Sequence, residues 1–215
     1  MESTEVILTT RERLLDVAGQ AFADLGFRDT TIREICTRAG ANVAAINYHF
    51  GDKERLYAAV LEHTHRCSLE KHPIGEGINP AAPAEERLHA FIRSFVHKLF
   101  DSGRPNWHIK LISREMIEPT GALDAIVEGT IRPQFVLLSS IVRDLMPPPV
   151  SERNVELAGA SVIGQCLHYH HCRAVTDRLL PGRMNKEGVL DEIIDHVYRF
   201  SLAGVRALGP GGRVP

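Results

Sequence analysis

Apolar positions recur at three- and four-residue intervals along most of the chain, and a two-residue alternation is sustained nowhere. The first run places Leu14, Leu15, Ala18, Phe22 and Leu25 on one face of a helix expected over 9–25. Thr9 and Glu12 open it as a capping box, and Gly26 is expected to close it, with Phe27 tucked beneath the helices that follow. Thr31 and Glu34 repeat the capping pattern just ahead of Ile32 and Ile35. Gly40 ends that helix, because glycine adopts a positive φ without the cost a Cβ would bring. Asn42 then caps a second short helix whose apolar side is Ile46 and Phe50, and Ala39, Val43 and Ile46 allow the two to cross steeply. The pattern predicts a helix-turn-helix over about 31–50, with a second helix sized for the DNA major groove.

The same periodicity predicts the rest. Asp52 caps a helix from Lys53 towards His72, carrying Leu56, Val60 and Leu61, and Pro73 limits it. Pro73, Gly75, Gly77, Pro80 and Pro83 make the next stretch an irregular loop. From Ala84 a wide apolar face of Leu88, Phe91, Ile92, Phe95, Val96 and Leu99 runs to Asp101. A shorter helix at about 106–117 ends before Pro119, and a longer one over 121–145 is interrupted or kinked at Pro133. After the stop at Pro147, Pro148 and Pro149, Ser151 caps a helix over about 152–173, and a last helix spans about 187–207. The fold class is therefore all-α, with about nine helices. A head over 1–57 carries the helix-turn-helix, a helical body spans 58–208, and the glycine- and proline-rich tail 209–215 is expected to be disordered.

Composition narrows the setting. The 215 residues suffice for one or two domains, and 44% hydrophobic with 24% charged content is ordinary for a globular chain. No uninterrupted apolar run approaches the roughly 20 residues of a bilayer span, and the N-terminus lacks the order of a signal peptide, which places the expectation in the cytoplasm without a membrane partner. Cys36, Cys67, Cys166 and Cys172 are expected as reduced thiols. The net charge is -2. Between residues 28 and 55, Arg28, Arg33, Arg38, Lys53 and Arg55 face Asp29, Glu34, Asp52 and Glu54, a near balance. DNA binding would therefore rest on a few placed groups and helix ends.

The run Thr31-Ile-Arg-Glu-Ile, then Ala-Gly-Ala, then Ile-Asn-Tyr-His-Phe-Gly-Asp-Lys53 resembles the DNA-binding domain of the TetR family of transcriptional repressors over roughly residues 9–57. Leu111-Ile-Ser-Arg-Glu-Met-Ile-Glu-Pro-Thr120 and the Ala-Ala-Ile-Asn-Tyr-His-Phe form of the recognition helix resemble the CecR-like (YbiH-like) subgroup. The resemblance implies a homodimer paired through the last two long helices, a double-stranded operator, and a small-molecule effector in the body. It also implies release from a near-palindromic operator when a small, largely apolar molecule binds. Where many relatives carry Ser-Lys or Ser-Arg, this chain has Asn42 and Val43, so direct guanine reading from that helix is not expected.

Base contacts are expected from Asn42 and Asn47, with thymine methyls touched by Val43, Ala44 and Ala45. Backbone phosphates would meet Thr30, Thr31, Arg33, Tyr48, His49 and Lys53, set against the bland readings of a plain cap, packed aromatics and solvated charge. Trp107, His108, Leu111, Arg114, Glu115 and, beyond them, Phe135, Gln165, His168 and Tyr169 are the candidate effector-binding residues. Arg114 or Glu115 could instead brace body to head by an ion pair. Cys166 with His170, and His168 with Cys172, stand four residues apart and open an alternative of metal- or redox-responsive regulation. No nucleophile elbow, phosphate loop, dinucleotide fingerprint or HExxH is present, so neither catalysis nor a cofactor is expected.

Overall fold

The computed structural model describes residues 9–73, 75–101 and 105–208. The expected tail 209–215 lies outside them. In chain order the α-helices are α1 (Thr10–Asp29), α2 (Ile32–Ala39), α3 (Val43–His49), α4 (Lys53–Lys71), α5 (Ala84–Leu99), α6 (Asn106–Ile117), α7 (Leu123–Ile126), α8 (Arg132–Leu145), α9 (Glu152–His171), α10 (Arg173–Leu179) and α11 (Val189–Ala207). A π-helical turn, Val127–Ile131, precedes α8, and a 3-10 turn, Arg183–Asn185, precedes α11. Among the described residues every regular element is helical.

Three elements differ from the periodicity. Helix α1 passes beyond Gly26 to Asp29, with Gly26 itself non-helical at φ 86°, ψ 168°. The glycine therefore kinks the helix one turn early and lets the chain resume. The stretch 121–145 is resolved into α7, the π turn and α8, with Pro133 in the first turn of α8. A proline has no N–H to give to the preceding turn, and the wider turn absorbs that gap. The helix expected over 152–173 ends at His171, and α10 starts anew at Arg173.

The helices pack as two units. Among the described residues the first comprises 9–71 and 105–130, the second 72–73, 75–101 and 131–208. By packing, then, α4 and α6 group with α1, α2 and α3, whereas the expected division after residue 57 follows the DNA-reading role. In the first unit Leu14, Leu15, Phe22, Ile35, Ile46, Leu56, Val60 and Leu111 are buried together. Tyr57 stands edge-on to Phe22 at 4.9 Å and tilted to Phe27 at 4.9 Å, so Phe27 sits beneath the head as expected.

The second unit is a bundle of α5, α8, α9 and α11. Leu88, Ile92 and Val96 of α5 share a core with Leu138 and Ile141 of α8, Val155 and Val162 of α9, and Ile194 and Val197 of α11. Arg87 donates to Asp144 at 2.6 Å, tying α5 to α8, and Arg206 pairs with Glu85, tying α11 to α5. The run Leu123–Leu145 is long and apolar enough, by length and composition alone, to cross a bilayer, with an 18-residue window of mean hydropathy 1.2. The run carries Asp124, Glu128, Arg132, Arg143 and Asp144 and is divided into α7, the π turn and α8, and Leu138, Ile141 and Val142 of α8 are buried in the core.

Candidate nucleic-acid interface

Local chemistry builds the turn. The Glu34 N–H donates to Thr31 Oγ1 at 3.2 Å, which caps α2. The capping box is only half formed, because the Glu34 carboxylate accepts from Arg38 at 2.5 Å instead of reaching back to Thr31. Gly40 is left-handed at φ 58° and closes α2. Asn42 Oδ1 then accepts from the Ala45 N–H at 2.8 Å, starting α3. Ile46 and Phe50 are buried, and they fix which side of α3 faces outward.

That outward side carries Val43, Ala44, Asn47 and Tyr48, all exposed, with Tyr48 at 85%. At about 100° per residue these four fall within an arc of roughly 140°. Ala45 and His49 are half-buried, both beyond the Tyr48 side of the arc, and Tyr48 stands edge-on to His49 at 5.0 Å. Asn42, Thr31 and Arg33 are exposed. The arc contains no lysine or arginine, so its chemistry is amide, methyl and phenol.

Thr30 is a correction. It is fully buried, and its hydroxyl donates to Gly26 O at 2.6 Å and Ala21 O at 3.2 Å. Its oxygen closes α1 and is withdrawn from any phosphate. Lys53 is only half-buried, but its Nζ donates to Arg28 O at 3.1 Å and lies 4.7 Å over the Phe27 ring. Arg55, which the sequence reading counted without singling out, is exposed at the start of α4, just after Asp52 Oδ1 caps the Arg55 N–H at 2.7 Å. Its guanidinium lies over Gly51, directly after α3, where an added Cβ would come within 3.2 Å. The one hint to it in the sequence was position: a basic residue one turn into the helix that follows the reader.

The residues expected around an effector divide between the two units. Trp107, His108, Leu111 and Glu115 are buried on α6 against α1 and α4. Trp107 Nε1 donates to Asp16 at 3.1 Å, and Lys110 Nζ donates to Asp24 at 2.6 Å, which holds the Asp24 carboxyl below its usual value. Arg114 donates to the carbonyls of Asp24 and Leu25 at 3.2 and 3.3 Å, next to the Gly26 kink. Glu115 accepts from Tyr57 OH at 2.6 Å and from the Thr120 N–H and hydroxyl at 2.8 Å each. Burial, and then that bond, push the Tyr57 phenol up. Both residues brace the first unit, chiefly through backbone carbonyls and a tyrosine, and Arg114 also approaches Glu118 loosely at 3.8 Å.

In the second unit Phe135 packs where Gly159 leaves room, Gln165 donates to Ser201 at 3.2 Å, Tyr169 packs on the core, and His168 is exposed. Tyr169 also stands edge-on to His168 at 5.6 Å. A cleft of about 380 Å³ opens elsewhere, between α5, α11 and the preceding loop, lined by Gly77, Asn79, Glu86, Arg87, His89 and Tyr198. Sequence reasoning missed it, because no local pattern marks where a loop stands off a helix. Cys166, His168, His170 and Cys172 likewise spread around the helix end. Cys166 is fully buried, and burial pushes its thiol up to about 12. Its neighbour His168 faces solvent, and His170 stands edge-on to Phe100 at 5.6 Å. Among the described residues no group of three or more His, Cys, Asp or Glu is placed to hold a metal ion.

Comparison with known proteins accords with this geometry. Residues 14–60 match the family model for bacterial regulatory proteins of the tetR family. Residues 84–205 match the model for the C-terminal domain of the HTH-type transcriptional dual regulator CecR. The CecR dual regulator of Shigella flexneri is 29% identical, over 74% of this chain and 74% of its own. The repressor NicS of Pseudomonas putida is 43% identical over 25% of this chain and 26% of its own. Among solved structures, AibR in complex with isovaleryl coenzyme A and operator DNA aligns with a TM-score of 0.65 at 17% identity, covering 89% of this chain and 97% of that one. FadR from Bacillus subtilis with stearoyl-CoA aligns at 0.64 and 16%, again over 89% and 97%. At these identities the likeness is one of fold.

Proposed function

The chain belongs to the TetR family of bacterial regulatory proteins, with a C-terminal domain of the CecR type, and from that premise we propose that it is a ligand-responsive repressor binding a near-palindromic operator as a homodimer in the cytoplasm. The observation that carries this reading is the exposed arc of α3, held outward by buried Ile46 and Phe50. In the proposal two heads enter successive major grooves at a spacing set by the dimer. Val43, Ala44, Asn47 and Tyr48 meet the groove, while Thr31, Arg33, His49, Lys53 and Arg55 meet the flanking backbone. Pairing through α9 and α11 is supported by their outer faces. Leu157 and Phe200 are 48% and 63% exposed, and a side chain added at Gly164 or Gly204 would meet nothing within 4 Å.

The effector is proposed to be a small, largely apolar molecule. The isovaleryl and stearoyl groups of the coenzyme A thioesters in the AibR and FadR structures support an apolar group on the effector; the coenzyme A part is large and polyanionic and lends no support to a small size. Such a molecule would act by favouring an arrangement in which the two heads no longer match the operator spacing. Packing of α6 on α1 through Trp107, Lys110 and Arg114 gives a route to the head, since displacing α6 disturbs the kinked end of α1. The metal or redox alternative draws less support, because Cys166 points into the core.

Footprinting of the full chain on DNA upstream of its own gene tests the reading. Expected is a protected, roughly two-fold symmetric site. Absence of any protection at low salt, about 50 mM, with a folded dimer in hand would overturn it.

A further inference from the structure

On the reading that α3 contacts bases, we infer that the operator positions beneath it are A·T pairs, with Asn47 reading an adenine and Val43 and Ala44 seated on thymine methyl groups.

Three observations carry this. First, the outward arc of α3 offers no lysine or arginine: it is Val43, Ala44, Asn47 and Tyr48. Arginine and lysine, the side chains that reach guanine O6 and N7, are missing from it, and so are the aspartate and glutamate that accept from cytosine N4. Second, the two asparagines are not equivalent. Asn42 has its side-chain oxygen committed to the Ala45 N–H at 2.8 Å. Its oxygen has one lone pair left, but the cap fixes the direction of the amide, so turning both amide atoms to adenine N6 and N7 competes with the cap. Asn47 lies in the middle of the exposed arc with both amide atoms available to a base edge, the pairing that adenine alone completes. Third, Val43 is 46% exposed and Ala44 is exposed beside it, apolar groups that gain by covering a methyl and gain nothing from the polar edge of a G·C pair. Ala45, half-buried on the far edge, drops out of the reading set.

Spacing makes the inference specific. Val43 and Asn47 are four residues apart, about 6 Å along the helix, and base steps are about 3.4 Å. The methyl and the adenine they touch therefore lie within about two base-pair steps of each other in each half-site.

The test starts with selection of binding sites by the full chain from a random duplex pool, which yields a half-site consensus. Single thymines are then replaced by uracil, removing only the C5 methyl, and single adenines by 7-deazaadenine, removing only N7. Two nearby positions should respond: about fourfold weaker binding at the thymine, the loss of one buried methyl, and about tenfold at the adenine. Asn47→Ala should bind the normal and the 7-deaza duplex equally, while keeping its response to uracil. A consensus of G·C pairs under α3, or half-sites indifferent to both analogues, overturns the inference while leaving DNA binding in place. Failure of the folded protein to select any sequence would instead strike the function proposed above.

Discussion

Gly19 of α1 and Trp107 of α6 offer the sharpest stability test. A Cβ on Gly19 would lie 2.2 Å from Trp107 Cζ3 and 2.3 Å from Cη2. The ring would have to withdraw about 1.2 Å, the gap between 2.2 Å and ordinary contact at 3.4 Å. It cannot do so freely, because Trp107 is only 7% exposed and its Nε1 is bonded to Asp16. Overpacking of this kind costs about 1–3 kcal/mol, and a weakened indole hydrogen bond about 1 more. Replacing a helical glycine by alanine returns about 1 kcal/mol. Gly19→Ala should therefore destabilise the fold by about 2 kcal/mol, lowering Tm by about 4–8 °C for a chain of this length.

The assay is denaturant unfolding at fixed protein concentration, followed by circular dichroism and by the fluorescence of Trp107, the chain's single tryptophan. The decisive measurement is the same substitution in a Trp107→Leu background. There the ring is gone, only helix propensity remains, and Gly19→Ala should stabilise by about 1 kcal/mol. If Gly19→Ala has the same sign in both backgrounds, the contact does not constrain α1 against α6, and the proposed route from α6 to the head loses its footing.

Other outcomes follow from the same geometry. Thr30→Val should lower stability by about 1 kcal/mol and leave the salt slope of operator binding unchanged; a changed slope with unchanged Tm would return Thr30 to the phosphate contacts. Arg55→Gln should reduce that slope by about 1, more than Lys53→Gln does, since the Lys53 ammonium is already held by Arg28 O and Phe27; the reverse order would show that Lys53 leaves them for DNA. His63 is held below 6.5 by burial first, then by Arg66 and Arg11, so below that pH the unfolded chain binds more protons and stability falls as pH falls. His63→Gln should shrink the Tm loss between about pH 7 and about pH 5.5, and a loss of undiminished size would clear His63 of it. Phe200→Glu should yield a monomer that binds the operator far more weakly, whereas an intact dimer would move the pairing surface off α11.

Much of the head was legible because its signals are local. A Thr9 or Asn42 oxygen meets an N–H three residues on, and Gly40 is left-handed for reasons contained in its own backbone. The apolar spacing of Ile46 and Phe50 sufficed to orient α3, and the motif from Thr31 to Lys53 sufficed for the family. Even there the local signal stopped short: Glu34 satisfies the capping pattern as text, yet Arg38 on the next turn takes its carboxylate. The same text left undecided whether Asn42 caps or reads.

What depended on the tertiary structure is which side each ambiguous residue faces. Thr30 reads as a polar residue before a helix, and it is buried because the kink at Gly26 turns a carbonyl towards its hydroxyl. Trp107 reads as pocket lining, and Arg114 and Glu115 as either lining or braces; only the fold shows the hydrogen bonds to Asp16, Asp24 and Tyr57, far away in sequence, that tie all three to α1 and α4. Helical periodicity names the buried stripe of one helix but not the partner that covers it. For that reason the sequence determined the class of protein and the outward side of α3, and the tertiary packing decided that α6 lies against α1 and which of its side chains are spent there.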